Sequence, residues 1–364
     1  MSGLSPWPPW PGILLASLGA FLMAALLTEP LRRLALRRGY TDHPDARKSH
    51  SRPTPYLGGV AVACATLAAA IMSVLLTGED AERTGGTDTA TVGIILTSAA
   101  LIAVLGLTDD LRPLGLGIGV RLGVEGAAAL VVVLCCGHPV FLGAWFDVPF
   151  AVGWILFTTN AFNLLDNMDG VVSTVTTVIA GFLCCAALGT GHAGAAALMA
   201  ALTGACAGFL IHNWHPARIF LGDAGSLFVG FLVSCTTLLH GDGGGTLSGY
   251  AALPLVTLVV IADTALVMVA RRRAGRPVLQ GGRDHIAHRL RRLGLTVRQV
   301  AVVIGGFASL TCLIAFLVMF RVFAQDVALI TVVAATAVAW GLLLRVPVYE
   351  SGWAGPAAPA GRPE

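Results

Sequence analysis

Ten long runs of this chain contain no Asp, Glu, Lys or Arg: 12–28, 53–78, 89–108, 126–146, 148–165, 170–217, 224–241, 243–262, 299–320 and 327–344. A helix crossing a bilayer needs about 20 apolar residues, so each run has about the right length for a span. The run 170–217 holds 48 residues, enough for two spans, and breaks at the weakly apolar GTGHAG of 189–194. The run 243–262 reads on through Asp263 to Ala270. The expectation is an all-α, polytopic integral membrane protein with eleven transmembrane helices. Composition agrees: 56% of the 364 residues are hydrophobic, 12% are charged and the mean hydropathy is +0.80. Soluble domains carry about 25% charged residues, so a soluble enzyme is excluded, and so much apolar surface excludes a disordered chain.

The basic residues set the orientation. With eleven spans, loops 30–55, 108–122, 159–172, 213–224 and 271–298 share a side with the C-terminus, and that side holds 21 of the 23 Lys and Arg. The N-terminus is therefore expected outside, with the loops in the cytoplasm and the protein in the plasma membrane. The start MSGLSPWPPWPG lacks a basic n-region, so no cleaved signal is expected. Residues 1–344 read as a single transmembrane domain and 345–364 as a disordered tail. A net charge of +3 gives no basis for binding nucleic acid. None of the eight Cys forms a CxxC, so they are expected to be small buried hydrophobes and not disulfides or zinc ligands.

Polar chemistry collects on the cytoplasmic side in five strings: TDHPDARKSHSRPTPYLGG (41–59), GLTDDLRPLG (106–115), NAFNLLDNMDG (160–170), HNWHPARIFLGDAGS (212–226) and GGRDHIAHRLRRLG (281–294). They are remote in sequence yet share one membrane face. Adjacent Asp109 and Asp110 end an apolar run; they are either solvated helix-end charges or ligands of a hard cation such as Mg²⁺, which takes oxygen ligands. If 160–170 is helical, Asn163, Asp166 and Asp169 share a face and make a polar pocket. Asp223 opens an apolar run, either as a helix cap or as a metal ligand beside N–H groups able to hold phosphate. Lys48 is the only lysine and sits in a basic cluster with Arg47, His50 and Arg52. Arg residues surround His285 and His288, which are spaced i and i+3. Asp263 and Glu125 fall in or beside spans; intramembrane acids imply function, although Glu125 is near enough to the expected span end to reach the interface.

Together the five strings resemble the polyprenyl-phosphate N-acetylhexosamine-1-phosphate transferases (glycosyltransferase family 4), which include bacterial GlcNAc-1-phosphate transferases and phospho-MurNAc-pentapeptide translocase. The resemblance runs from about 41 to 294, and RKSHSRPTPYLGG is nearer the GlcNAc-type branch. It implies attack of a polyprenyl (undecaprenyl or decaprenyl) phosphate on the β-phosphorus of a UDP-N-acetylhexosamine. UMP leaves, and a polyprenyl-diphosphate sugar for cell-envelope polymers stays in the membrane. It implies Mg²⁺, with Mn²⁺ as a substitute, and a homodimer. Carried over by motif, Asp223 is the main metal ligand, and Asp109 and Asp110 organise the acceptor phosphate as base or through metal. Asn163 and Asp166 belong to the catalytic pocket. Asp169 and Phe220 meet the uracil, Lys48 and Asn213 support the nucleotide and diphosphate, and His285 and His288 contact phosphate or sugar. The chain departs from the family's D-G-x-D-G where Asn167 stands in the place of the first glycine, and from its H-x-H-H where Ala287 occupies the middle histidine position. A transporter, a CDP-alcohol phosphotransferase and a family-like protein diverted to secondary metabolism are the alternatives. One-sided acids argue against the first, and the missing DG…AR…G…D…D string against the second.

Overall fold

The computed structural model describes residues 10–42, 53–83, 89–112, 115–137, 144–240, 254–278 and 282–349. They form α1 (Trp10–Arg38), a two-residue antiparallel pair β1 (Thr41–Asp42) and β2 (Thr54–Pro55), α2 (Gly58–Arg83), α3 (Thr89–Leu111), α4 (Ile118–Cys136), α5 (Ala144–Leu165), α6 (Val171–Gly189) and α7 (Ala193–Asn213). There follow α8 (Gly222–His240), α9 (Leu258–Arg273), the short α10 (Ile286–Arg292), α11 (Val297–Met319) and α12 (Gln325–Leu343). The protein is all-α and polytopic. A described helix overlaps each of the eleven expected spans. Among the described residues, nine helices are long and apolar enough to cross a membrane; the described apolar stretch of α8 is Gly222–Leu238, and α9 has 16 residues.

Several boundaries move. The 48-residue run divides where expected, with α6 ending at Gly189 and α7 starting at Ala193. Run 53–78 begins as strand and turns helical only at Gly58, because Thr54 and Pro55 pair with Asp42 and Thr41. The fourth helix starts at Ile118 and not near 126, which carries Arg121 and Glu125 into it. Helix α5 stops at Leu165, so Asn163, Asp166 and Asp169 do not share a helical face. Of the 345–364 tail, residues 345–349 lie among the described ones and are docked by hydrogen bonds. Cys64, Cys135 and Cys185 sit on exposed faces and not in the core.

Helix α7 is the buried centre, with 72% of its span inside the protein, whereas α12 buries 11% and presents Ile330, Val333 and Val338 outward. Outward leucines on α1 (Leu14, Leu18, Leu22) continue that apolar exterior. In a chain of this hydropathy such a surface faces lipid, where the helix satisfies every backbone group internally. Helix α1 lies against α7 closely enough that a side chain at Gly204 or Gly208 would strike the carbonyls of Ser17 and Phe21. Helices α2, α3 and α5 surround α8, and this packing sets the polar helix ends side by side.

Candidate active site

The end of α3, the end of α5 and the start of α8 meet, and α4 reaches in from the side. Helix α3 delivers Asp109 and Asp110, α5 delivers Asn160 and Asn163, and α8 delivers Asp223 and Ser226. Asn163 donates through Nδ2 to Asp223 Oδ1 at 2.8 Å and to Ser226 Oγ at 2.9 Å. Arg121 of α4 donates through Nη1 to Asp109 Oδ2 at 3.2 Å and to Asp223 Oδ2 at 3.0 Å. Its Nη2 faces Asn160 Oδ1 at 3.5 Å and Asn163 Oδ1 at 3.4 Å. The backbone N–H of Leu116 also donates to Asp109.

Asp110 is engaged with the start of α8. Its Oδ1 accepts from the N–H of Asp223 and its Oδ2 from that of Ala224, each at 3.0 Å. Those are otherwise unpaired donors of the first turn of α8, so Asp110 caps that helix from outside. The geometry needs Gly222: its φ is +71°, and a Cβ there would stand 2.7 Å from Asp110 Oδ2. It also needs Gly106, since a side chain there would strike the backbone of Asp223 and push α3 away from α8.

Asp166 lies in the turn after α5. Burial, with Asp223, Asp110 and Asp169 nearby, pushes its carboxyl up to about 8. Asp169 and Asn213, expected to meet nucleotide, tie loops together in the fold. Asp169 Oδ2 accepts from the Ala217 N–H at 3.0 Å and bonds His215 Nδ1 at 2.7 Å. Asn213 is buried, accepts from Gly170 N and Ser173 Oγ, and donates to the Ile219 carbonyl at 3.0 Å. Phe220 is half-buried, and its backbone joins Pro55 and Gly58, fastening the PTPYLGG string to the FLGDAGS string. Lys48, Arg47, His50 and Arg52 lie outside the described residues.

Four strings thus converge, and the histidine string forms a second cluster. Asp263 of α9, 1% exposed, bonds His285 Nδ1 at 2.7 Å and accepts from the Ile286 N–H at 2.7 Å. His288 stacks edge-on at 6.3 Å from His285, and burial with the neighbouring His285 and Arg283 pushes it down to about 4, so it is neutral at pH 7. Asp284 is pinned by Arg271 at 2.7 and 2.8 Å and by the Tyr349 hydroxyl at 2.8 Å. Beside the histidine cluster is an apolar cavity of about 210 Å³, walled by Leu165, Asp263, Ile286 and Trp340 among others.

The donors around Asp223 are carboxylate and amide oxygens, the chemistry a hard cation takes. Among the described residues, however, no three His, Cys, Asp or Glu are arranged to hold a metal ion. The guanidinium of Arg121 fills the position between Asp109 and Asp223. Arg121 and Asn160 are the residues that reading the strings missed. Both carry a signal: Arg121 precedes Glu125 by four in VRLGVEG, a helical ion-pair spacing, and Asn160 precedes Asn163 by three. Glu125 does not reach the interface; it is 1% exposed and accepts from Asn160 Nδ2.

Residues 92–241, which carry three of the converging strings, match the model of glycosyl transferase family 4. A Streptomyces coelicolor protein that carries the name of a glycosyltransferase by assignment only is 43% identical over 79% of this chain, which spans 66% of that relative's length. An undecaprenyl-phosphate N-acetylglucosaminyl 1-phosphate transferase of Bacillus subtilis is 30% identical over 80% of this chain and 81% of its own. A phospho-N-acetylmuramoyl-pentapeptide-transferase of Heliobacterium modesticaldum is 30% identical over 71% of this chain and 81% of its own. With a polytopic helical fold and helix ends that assemble one carboxylate site, the chain belongs to glycosyl transferase family 4.

Proposed function

We propose that the protein transfers an N-acetylhexosamine 1-phosphate, GlcNAc-1-phosphate in the first instance, from its UDP-sugar to a polyprenyl phosphate at a cytoplasm-facing site. The acceptor's phosphate oxygen bonds to the β-phosphorus, the bond from that phosphorus to the bridging oxygen breaks, and UMP departs with the oxygen. The observation that carries this reading is the meeting of Asp109, Asn163 and Asp223, from three different helices, around one positive charge. Donor and acceptor are both anionic, so the reaction needs cationic groups to hold them together, and phosphoryl transfer depends mainly on positioning and charge stabilisation. The Bacillus and Heliobacterium relatives are named for that reaction class.

Asp223 and Asp109 are the residues that would hold Mg²⁺, or Mn²⁺ in its place, and the ion would neutralise the phosphates as they approach. Asp110 serves by fixing the first turn of α8. Asn163 orients Asp223. Lys48 is assigned to phosphate on its chemistry. Asp169, Asn213 and Phe220 shape the pocket through the loops they fasten, and His285, held by Asp263, is the group that faces the substrate's sugar or phosphate.

The test is UMP release by the purified protein with UDP-GlcNAc, a polyprenyl phosphate and Mg²⁺. Release that requires the lipid is expected. No UMP from any UDP-N-acetylhexosamine overturns the reading.

A further inference from the structure

Arg121 connects more of the site than any carboxylate does. One nitrogen, Nη1, serves both Asp109 at 3.2 Å and Asp223 at 3.0 Å, so those two oxygens face the point that an ion bridging them would take. The side chain is 18% exposed, too enclosed to be an ordinary surface charge. One turn along α4, Glu125 Oε1 is buried, accepts no hydrogen bond from any described residue and lies 3.9 Å from Arg121 Nε. A buried carboxylate oxygen without a donor is costly and needs an explanation. Two cations cannot occupy one point between two carboxylates, because at such separations their repulsion is large.

We infer that Arg121 is an exchangeable internal cation. It neutralises Asp109 and Asp223 while no divalent ion is bound, and a divalent ion takes both carboxylates by displacing it. The released guanidinium turns to Glu125, whose unpaired oxygen receives it. Cation affinity is then set by how readily Arg121 leaves. This rests on the proposed cation-dependent reaction and adds to it a competitor built into the chain.

The experiment is a Mn²⁺ titration of the full-length protein in detergent without substrates, reading free Mn²⁺ by electron paramagnetic resonance. Arg121→Gln is expected to bind Mn²⁺ about tenfold or more tighter than wild type, the scale of a charge-assisted hydrogen bond lost from the competing state. Arg112→Gln removes an exposed charge three residues from Asp109 and is expected to shift affinity by less than about twofold, as screened surface charges do. Glu125→Gln is expected to weaken binding about threefold or more, because the displaced guanidinium loses its acceptor. If Glu125 acts only through Arg121, the Arg121→Gln/Glu125→Gln double variant binds like Arg121→Gln alone. Should Arg121→Gln not fold, Arg121→Lys keeps the charge but cannot bridge both carboxylates, and tighter binding is again expected. Unchanged or weaker binding by the Arg121 variants, or a full Glu125 effect persisting without Arg121, overturns this inference alone. No Mn²⁺ binding by any variant overturns it together with the cation dependence of the proposed reaction.

Discussion

Asp110 and Asp223 belong to different helices, yet the first holds the second in place: Asp110 Oδ1 accepts the N–H of Asp223 at 3.0 Å. Adjacent aspartates in a motif invite the same role, and here they divide. Asp109 faces Arg121, and Asp110 accepts from two first-turn N–H groups of α8. The two should therefore fail differently. Asp110→Ala leaves two first-turn donors unpaired and is expected to lower stability by about 1–3 kcal/mol, seen as a lower melting temperature in detergent. Asp223→Asn keeps the fold and its bond with Asn163 but is expected to cut turnover by about 10²-fold or more, judging from the loss of comparable charge-stabilising groups. Near-normal turnover in Asp223→Asn would remove that residue from the reaction.

The Asp263–His285 pair makes a second prediction. A carboxylate on Nδ1 fixes the imidazole's orientation and leaves Nε2 to face whatever enters. Asp263→Asn is expected to lower kcat roughly ten- to hundredfold, the worth of one charge-assisted hydrogen bond, with KM for the UDP-sugar nearly unchanged. The double variant with His285→Gln should lose little more than His285→Gln alone. Additive losses would mean that Asp263 acts elsewhere, and an unchanged melting temperature would separate orientation from simple misfolding.

Asp166 should make the cation-free protein sensitive to pH. Its carboxyl is raised in the folded state, to about 8, by burial and by Asp223, Asp110 and Asp169. An unfolded Asp ionises near about 4, so the folded state binds the extra proton between the two values. Stability is therefore undiminished below about pH 4 and falls as pH rises towards 8. Asp166→Asn mimics the protonated acid and should gain thermal stability over wild type in EDTA, by a margin that widens from about pH 5 to about pH 8. A margin independent of pH would show that Asp166 is not held protonated.

The architecture was legible in the sequence because bilayer-length apolar runs leave helix as the workable solution. The break at 189–194 was legible too, as a drop in hydropathy. Helix starts were not: the α4 boundary rested on the charge-free run, whereas Arg121 and Glu125 find their partners within the fold and so need no solvent. The site was legible as a set of strings but not as a division of labour. Asp169 and Asn213 read from the sequence as nucleotide contacts, with no sign of the loops they also fasten. Only the folded chain reveals that their partners are His215, Ala217 and Ile219, polar groups a turn-rich loop must satisfy.

The described end of the chain shows the same limit, because 345–349 was expected to belong to a disordered tail yet is clasped to α10. Arg289, 1% exposed, donates to the carbonyls of Leu343 and Val346, and Arg292 to those of Pro347 and Val348. Tyr349 donates to Asp284 at 2.8 Å and lies under the Arg276 guanidinium, 4.5 Å from its ring centroid. Burial opposes the ionisation of Asp284, but Arg271 and the Tyr349 hydroxyl more than offset it and hold the carboxyl below its usual range. A carboxyl depressed on folding contributes stability above the unfolded value, near about 4, which is lost as pH falls through the folded one. Tyr349→Phe is thus expected to cost about 1–2 kcal/mol at neutral pH, and the difference from wild type should shrink only below about pH 4. Truncation after Leu344 removes the acceptors of Arg292 as well and should cost more than Tyr349→Phe, with the melting temperature at pH 7 as the measure. Equal melting of the truncated and intact chains would show that the clasp contributes nothing to holding α10, and with it His285, in place.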